Sequence, residues 1–304
     1  MNNFCIAIHG GAGTILKANM TSEKEKAYRD ALSAAVQSGY ELLKKGNSSL
    51  DAVTAAVTEL ENCPLFNAGK GAVFTHEGTH EMDASIMEGK NLGAGAVAGC
   101  RNVRNPVVLA KAIMEQTEHV LLCGEGAESF ARKINLPFEA DDYFFDPLRY
   151  HQLMQIKDSE KTMLDHSEKK FGTVGAVALD KDGNLAAATS TGGMTNKRYG
   201  RIGDTPLIGA GTYANNKTCA VSCTGHGEFF IRAVVAYDIS CLMEYKNFSL
   251  KQACEFVMHE KLKNLGGEGG LIAVDANGTM ELVFNSDGMY RAAMKHDELV
   301  THIY

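Results

Sequence analysis

An α+β fold is predicted for this chain, with helices packed on stacked, largely antiparallel sheets. Three observations lead there. Strand-like and helix-like stretches come in blocks rather than in strict alternation, which disfavours a doubly wound parallel sheet. Short strands rich in small residues flank Asp182-Gly183, and Asn277-Gly278 repeats the hairpin signal further on. The chain has 304 residues, 45% hydrophobic and 22% charged, an ordinary globular composition that can build a sizeable core.

Taken in order, Phe4 to Ile8 reads as a strand running into His9-Gly10-Gly11-Ala12-Gly13. A helix is predicted over Ser22 to Lys45, where Ala31, Ala34, Ala35, Leu42 and Leu43 recur at helical spacing and Ser22 with Glu25 forms a capping box. A second helix follows from Ser49 to Glu61. Asn62 to Gly71 holds too much Gly, Pro and Asn for helix or strand, so it is either ordered from outside or mobile. Met82 to Met87 and the Gly-Ala-rich stretch 93–99 read as strands, and helices are predicted over 106–117 and 125–134. From Asp141 to Lys170 neither period holds, which predicts an exposed connector. Beyond it, strands are predicted at Thr173 to Leu179, Leu185 to Thr191, 207–212, 218–223, 271–275 and 279–284, with helices over 228–244 and 249–263.

Composition narrows the function. With 30 Lys and Arg against 37 Asp and Glu, the net charge of −7 argues against an electrostatic nucleic-acid binder. No run approaches the roughly 18 apolar residues of a membrane span, and Met1 to Ile8 lacks the basic and apolar regions of a leader. The expectation is a cytoplasmic protein without membrane or nucleic-acid partners. The eight cysteines are scattered in mostly apolar surroundings with no Cys-x-x-Cys pair, and they read as buried free thiols.

The Asp182-Gly183 hairpin is the informative object. Pairing about that turn places Thr173 opposite Thr191 or Gly192, so hydroxyls from two strand ends meet. A third segment, Cys223-Thr224-Gly225-His226-Gly227-Glu228, joins a strand to a helix and exposes backbone N–H groups suited to negative charge, an oxyanion-hole candidate. Threonine also simply populates strands and glycine fills turns, so no one segment decides. Gly93-Ala94-Gly95-Ala96-Val97-Ala98 matches a dinucleotide fingerprint but has no preceding strand and opens no helix. Ala188-Thr189-Ser190-Thr191-Gly192 falls one residue short of a nucleophile elbow, and His9-Gly10-Gly11 is similar to the oxyanion loop of α/β-hydrolases; together they make a Ser190 hydrolase the runner-up chemistry.

Several long motifs together resemble the plant-type asparaginase / isoaspartyl peptidase family. They are Gly172 to Asp180, Ser190 to Lys197, Arg201 to Pro206, Thr224 to Glu228, His9 to Gly13 and Phe66-Asn67-Ala68-Gly69, and they cover nearly the whole chain. The resemblance implies an N-terminal-nucleophile hydrolase: a four-layer αββα sandwich made as one inactive chain that cuts itself between Gly172 and Thr173. An α fragment, 1–172, would then end in the connector of about 141–172, and a β fragment, 173–304, would begin with the nucleophile. The two fragments would together make one domain, and two such heterodimers would make the particle.

The resemblance also assigns roles. Thr173 would be the nucleophile with its own amine as base, Thr191 would tune it, and the Thr224 hydroxyl with the Gly225 N–H would form the oxyanion hole. Arg201 and Asp204 would hold the α-carboxylate and α-ammonium of an aspartyl group, with Thr224, Gly225 and Gly227 lining the same pocket. Arg201 and Asp204 alone would read as a solvated loop ion pair. Backbone carbonyls of Leu60, Glu61, Cys63, Phe66, Ala68 and Lys70 would bind a structural sodium ion, with no cofactor needed for catalysis. L-asparagine and isoaspartyl dipeptides would be the substrates. Glycosylasparaginases rank second among related enzymes, being usually secreted and disulfide-bonded, and an uncleaved inactive relative that serves as a binding protein ranks third.

Overall fold

The computed structural model describes residues 3–157 and 172–304. Its elements are β1 (Cys5–Gly13), α1 (Ser22–Lys45), α2 (Ser49–Asn62), β2 (Met82–Glu88), β3 (Ala94–Cys100), α3 (Pro106–Gln116), β4 (Leu121–Cys123), α4 (Gly124–Lys133), α5 (Asp141–Phe144) and α6 (Pro147–Ile156). After the gap come β5 (Thr173–Leu179), β6 (Leu185–Thr191), β7 (Thr212–Ala214), β8 (Cys219–Gly225), α7 (Gly227–Ala233), α8 (Val235–Lys246), α9 (Leu250–Glu255), β9 (Gly269–Asp275), β10 (Met280–Phe284), β11 (Gly288–Lys295) and β12 (Glu298–His302).

Two sheets stack face to face between two helical layers. The larger runs β12-β11-β1-β5-β6-β2-β3-β4, antiparallel except at β3–β4, and the smaller, β10-β9-β8-β7, is antiparallel throughout. On the outer face of the large sheet Ile6, Ile8, Val174 and Ala188 pack against Leu32, Val36, Val53 and Val57 of α1 and α2. On its inner face Ala7, Val177, Leu179 and Ala187 join Val221, Ile272 and the helices α7 to α9 in a second core. Every residue of β5 and β6 is therefore buried, which explains small-residue runs without polar alternation. This is the predicted α+β architecture.

The predicted helices and strands through 134 and the 173–191 hairpin recur within a residue or two, except that β1 runs on to Gly13 and β4 is additional; five further corrections follow. The cap of α1 is Thr21, extended at φ −75° and accepting from Lys24 N–H, whereas Ser22 is already helical. Residues 207–212 make local turns, with Leu207 N–H bonded to Asp204 C=O and Ala210 N–H to Leu207 C=O, so the strand starts only at Thr212. The expected connector carries α5 and α6, the latter capped by Asp146 with Pro147 at its first position and Leu153 buried; its part over 158–171 lies outside the described residues. The helix expected at 228–244 breaks at Val234, which sits at φ +51°. Finally, the β11–β12 hairpin carries no turn signal in the sequence, because it turns at His296-Asp297, both at positive φ without the glycine that marks such turns.

All eight cysteines are free, but Cys63 and Cys241 are only half-buried and Cys123, at the end of edge strand β4, is exposed. No helix among the described residues is long and apolar enough to cross a membrane.

Candidate active site

Asp180 ties the β5–β6 turn, its Oδ1 accepting from Asp182 and Asn184 N–H, and Gly183 takes φ +81°. That turn fixes the register. Thr173 pairs directly with Thr191, and their hydroxyl oxygens lie 3.2 Å apart, both nearly buried. The Gly193 N–H donates to the Thr191 oxygen at 3.0 Å. From the neighbouring strand β1, His9 donates from Nδ1 to the Thr173 carbonyl at 3.0 Å, since a carbonyl can only accept. Full burial depresses this imidazole to a pKa of about 3, so it is neutral.

Strand β8, in the facing sheet, brings Thr224 to the same end of the sandwich. Its hydroxyl oxygen accepts from Ala12 N–H at 3.3 Å, just past a bulge in β1. Gly225 follows at φ +153°, where a side chain would also meet the Glu268 carbonyl and the Phe230 ring. Helix α7 then opens at Gly227, whose missing side chain leaves room for Asp204 and Arg201.

Arg201 and Asp204 are not simply a solvated pair. Arg201 donates from Nε and Nη2 to the two Glu228 carboxylate oxygens, each at 2.8 Å, leaving Nη1 without a described partner. Asp204 is buried, and its Oδ2 has no hydrogen-bond partner among the described residues. Burial raises its pKa to about 7, the Arg201 charge only partly opposing this. Glu228, the last residue of the Thr224–Glu228 motif, is the partner of Arg201, which the linear motif does not reveal.

The other omissions are His9 and Asn67. Asn67 orders the loop after α2: its Nδ2 donates to Gly193 C=O, its Oδ1 accepts from Val73 N–H, and its C=O accepts from Gly192 N–H. Gly172 packs on it so closely that a methyl group would collide with the Asn67 side chain. Both lay inside recognised motifs, but nothing in a linear motif says which strand end they touch.

Ser190 points the opposite way from Thr191, as strand alternation requires. Its hydroxyl donates to Glu61 Oε1 at 2.6 Å on the fully buried helix-facing side, and Val107 N–H shares that oxygen. A nucleophile there has no access to substrate, so the runner-up chemistry is set aside.

Leu60, Glu61, Cys63, Phe66, Ala68 and Lys70 lie at the end of α2 and around the loop that follows. Gly69, at φ +52°, packs against the Glu61 carbonyl, and Gly71 packs against the Phe66 and Pro64 carbonyls, where a Cβ would intrude. The Leu60, Phe66 and Ala68 carbonyls each accept one N–H bond, from Cys63, Ala68 and Gly71, and the second lone pair of each oxygen is of the type a hard cation takes.

The αββα layering is that of the N-terminal-nucleophile hydrolases. The chain belongs to the asparaginase family, whose profile matches residues 2–303, and it is a hydrolase. It is 58% identical over 298 residues to the isoaspartyl peptidase of Salmonella typhimurium, covering 96% of this chain and 95% of the relative. It is 57% identical to the isoaspartyl peptidase of Escherichia coli, covering 96% and 93%, and 42% identical to the isoaspartyl peptidase/L-asparaginase of Xenopus laevis, covering 98% and 94%.

Proposed function

We propose that the protein is an isoaspartyl peptidase with L-asparaginase activity, activated by self-cleavage between Gly172 and Thr173. The observation that carries this reading is the Thr173–Thr191 hydroxyl pair, placed directly after Gly172. Cleavage converts an amide nitrogen, useless as a base, into an amine whose reference pKa is about 7.7 to 8.0. That amine takes the Thr173 hydroxyl proton as Oγ1 attacks the substrate's β-carbonyl, and passes it to the leaving amine; water then hydrolyses the ester. Thr191 accepts from both the Thr173 hydroxyl and Gly193 N–H, so its own proton is left to donate to Thr173 Oγ1 once that oxygen has given up its proton. Thr224, whose oxygen accepts from Ala12, likewise keeps its proton for the oxyanion, with Gly225 N–H beside it.

Asp204 supports the substrate side of the reading. A buried carboxylate oxygen without a partner among the described residues suits the α-ammonium of an aspartyl group, and Arg201 Nη1, likewise without one there, suits its α-carboxylate. Both α-groups are then held and only the β-carbonyl faces Thr173. The loop carbonyls of Leu60, Glu61, Cys63, Phe66, Ala68 and Lys70 would hold a structural sodium ion, and two αβ heterodimers would form the particle. The test is hydrolysis of β-Asp-Leu, L-asparagine and α-Asp-Leu. Turnover of the first two with rejection of the third is expected; comparable turnover of the α- and β-linked peptides would overturn the pocket assignment.

A further inference from the structure

Four hydroxyl residues form two cross-strand pairs that face each other between the sheets. Ser85 pairs with Thr189 in the large sheet, and Thr212 with Ser222 in the small one. All four are fully buried. Ser85 lies 2.8 Å from Thr212, Thr212 lies 2.5 Å from Thr189, Thr189 lies 2.7 Å from Ser222, and Ser222 lies 2.9 Å from His9 Nε2. Gly175 sits under the last contact, where a methyl group would collide with both partners.

Hydrogen-bond valence sets the direction of each proton from Thr212 to the Thr173 carbonyl and leaves Ser85 a two-way donor at the head. His9 Nδ1 must donate to the Thr173 carbonyl, so in the neutral ring Nε2 accepts from Ser222. Ser222 having spent its proton, Thr189 donates to it, in preference to the Gly211 carbonyl at 3.3 Å. Thr212 then donates to Thr189, and Ser85 to Thr212. The single Ser85 proton is bifurcated, its shorter arm at 2.5 Å to the Thr205 carbonyl next to Asp204 and its longer arm at 2.8 Å to Thr212.

We propose that Ser85, Thr212, Thr189, Ser222 and His9 form a one-way donor chain that positions the Thr173 carbonyl against the Asp204–Thr205 segment, coupling the substrate pocket to the nucleophile. This rests on reading Thr173 as nucleophile and Asp204 as the ammonium site. Donors aligned head to tail polarise one another, and a nucleophile held to its substrate pocket loses rate steeply on small displacement. These five are positioning residues that touch no reacting atom.

The test compares Thr212→Val, which keeps shape and removes the donor, with Thr212→Ser, which restores it. In the self-cleaved enzyme acting on β-Asp-Leu, Thr212→Val should lower kcat about fivefold to tenfold, the scale of one buried hydrogen bond, and Thr212→Ser should recover most of it. Nitrogen-15 histidine NMR reads the chain independently of turnover: His9 should be protonated at Nδ1 and bare at Nε2, with its Nδ1–H signal shifted upfield in Thr212→Val but not in Thr212→Ser. If Thr212→Val does not fold, Ser222→Ala removes the donor to His9 Nε2 directly and should shift the signal likewise. A proton on Nε2, an unmoved signal, or equal losses in the valine and serine variants would overturn the chain. A wild type that turns over no β-linked substrate would overturn the functional reading while leaving the NMR outcome decisive for the chain.

Discussion

Thr173 and Thr191 occupy directly paired positions on adjacent antiparallel strands, with their hydroxyl oxygens 3.2 Å apart and Gly172 immediately before the first. On the proposed function the Thr173 hydroxyl would serve as an internal nucleophile before cleavage and as an N-terminal one after it. Aged, purified protein should therefore resolve on a denaturing gel into two fragments, one ending at Gly172 and one beginning at Thr173. Thr173→Ala should stay whole. A single full-length band in wild type, unchanged over days, would count for the uncleaved relative.

Arg201 is bound to Glu228, so in the proposed pocket substrate would share or displace that partner. Arg201→Ala leaves an α-carboxylate unpaired and releases Glu228 beside it. The loss expected in kcat/KM is about thirtyfold to several thousandfold, the scale of breaking a buried charge pair. An unaffected variant would remove Arg201 from the pocket. Glu228→Gln should retain far more activity, because the guanidinium remains.

Asp204 predicts a trade of stability against function. Its folded pKa of about 7 lies above the ordinary 3.8, so the cost of its buried charge is absent below the ordinary value, grows as pH rises between the two, and is complete above about 7. Asp204→Asn should raise stability at pH 8 by roughly 1 to 3 kcal/mol, as relief of a buried unsatisfied group, and change little at pH 4. The variant should also lose β-Asp-Leu hydrolysis, and wild-type kcat/KM should fall below about pH 7 as Asp204 takes up its proton. Thermal unfolding at the two pH values checks the first part, and a pH–rate profile the second.

Ser190→Ala separates the two threonine-strand chemistries. Ser190 only supports Glu61, so the variant should unfold more easily by about 1 to 3 kcal/mol while the remaining folded enzyme keeps its kcat. Loss of kcat without loss of stability would reinstate Ser190 as a nucleophile.

The loop after α2 predicts ion-dependent stability. Replacing sodium by choline at constant ionic strength should lower Tm, because a ligand present at a hundred times its Kd contributes about 2.7 kcal/mol to the folded state. An unchanged melting curve in both salts would empty the loop of its proposed ion.

What the sequence determined by itself was local. The Asp182-Gly183 turn, small-residue strands and motif spacing placed Thr173 against Thr191 or its neighbour, because a tight turn carries register along both strands. The same locality failed at His296-Asp297, where a turn forms without its usual residues and β11 finds its partner in β1, at the opposite end of the chain. Tertiary structure alone decided that Ser190 faces Glu61 and Thr191 faces the site, that Glu228 holds Arg201, and that Asp204 is buried with one oxygen unpartnered. It alone set Ser85 and Thr189 against Thr212 and Ser222, since those pairs lie on two sheets whose stacking is fixed by the apolar cores on either side. Hydrogen-bond partners and pKa values depend on what lies within a few ångströms in space, and that information is not carried by neighbours in the chain.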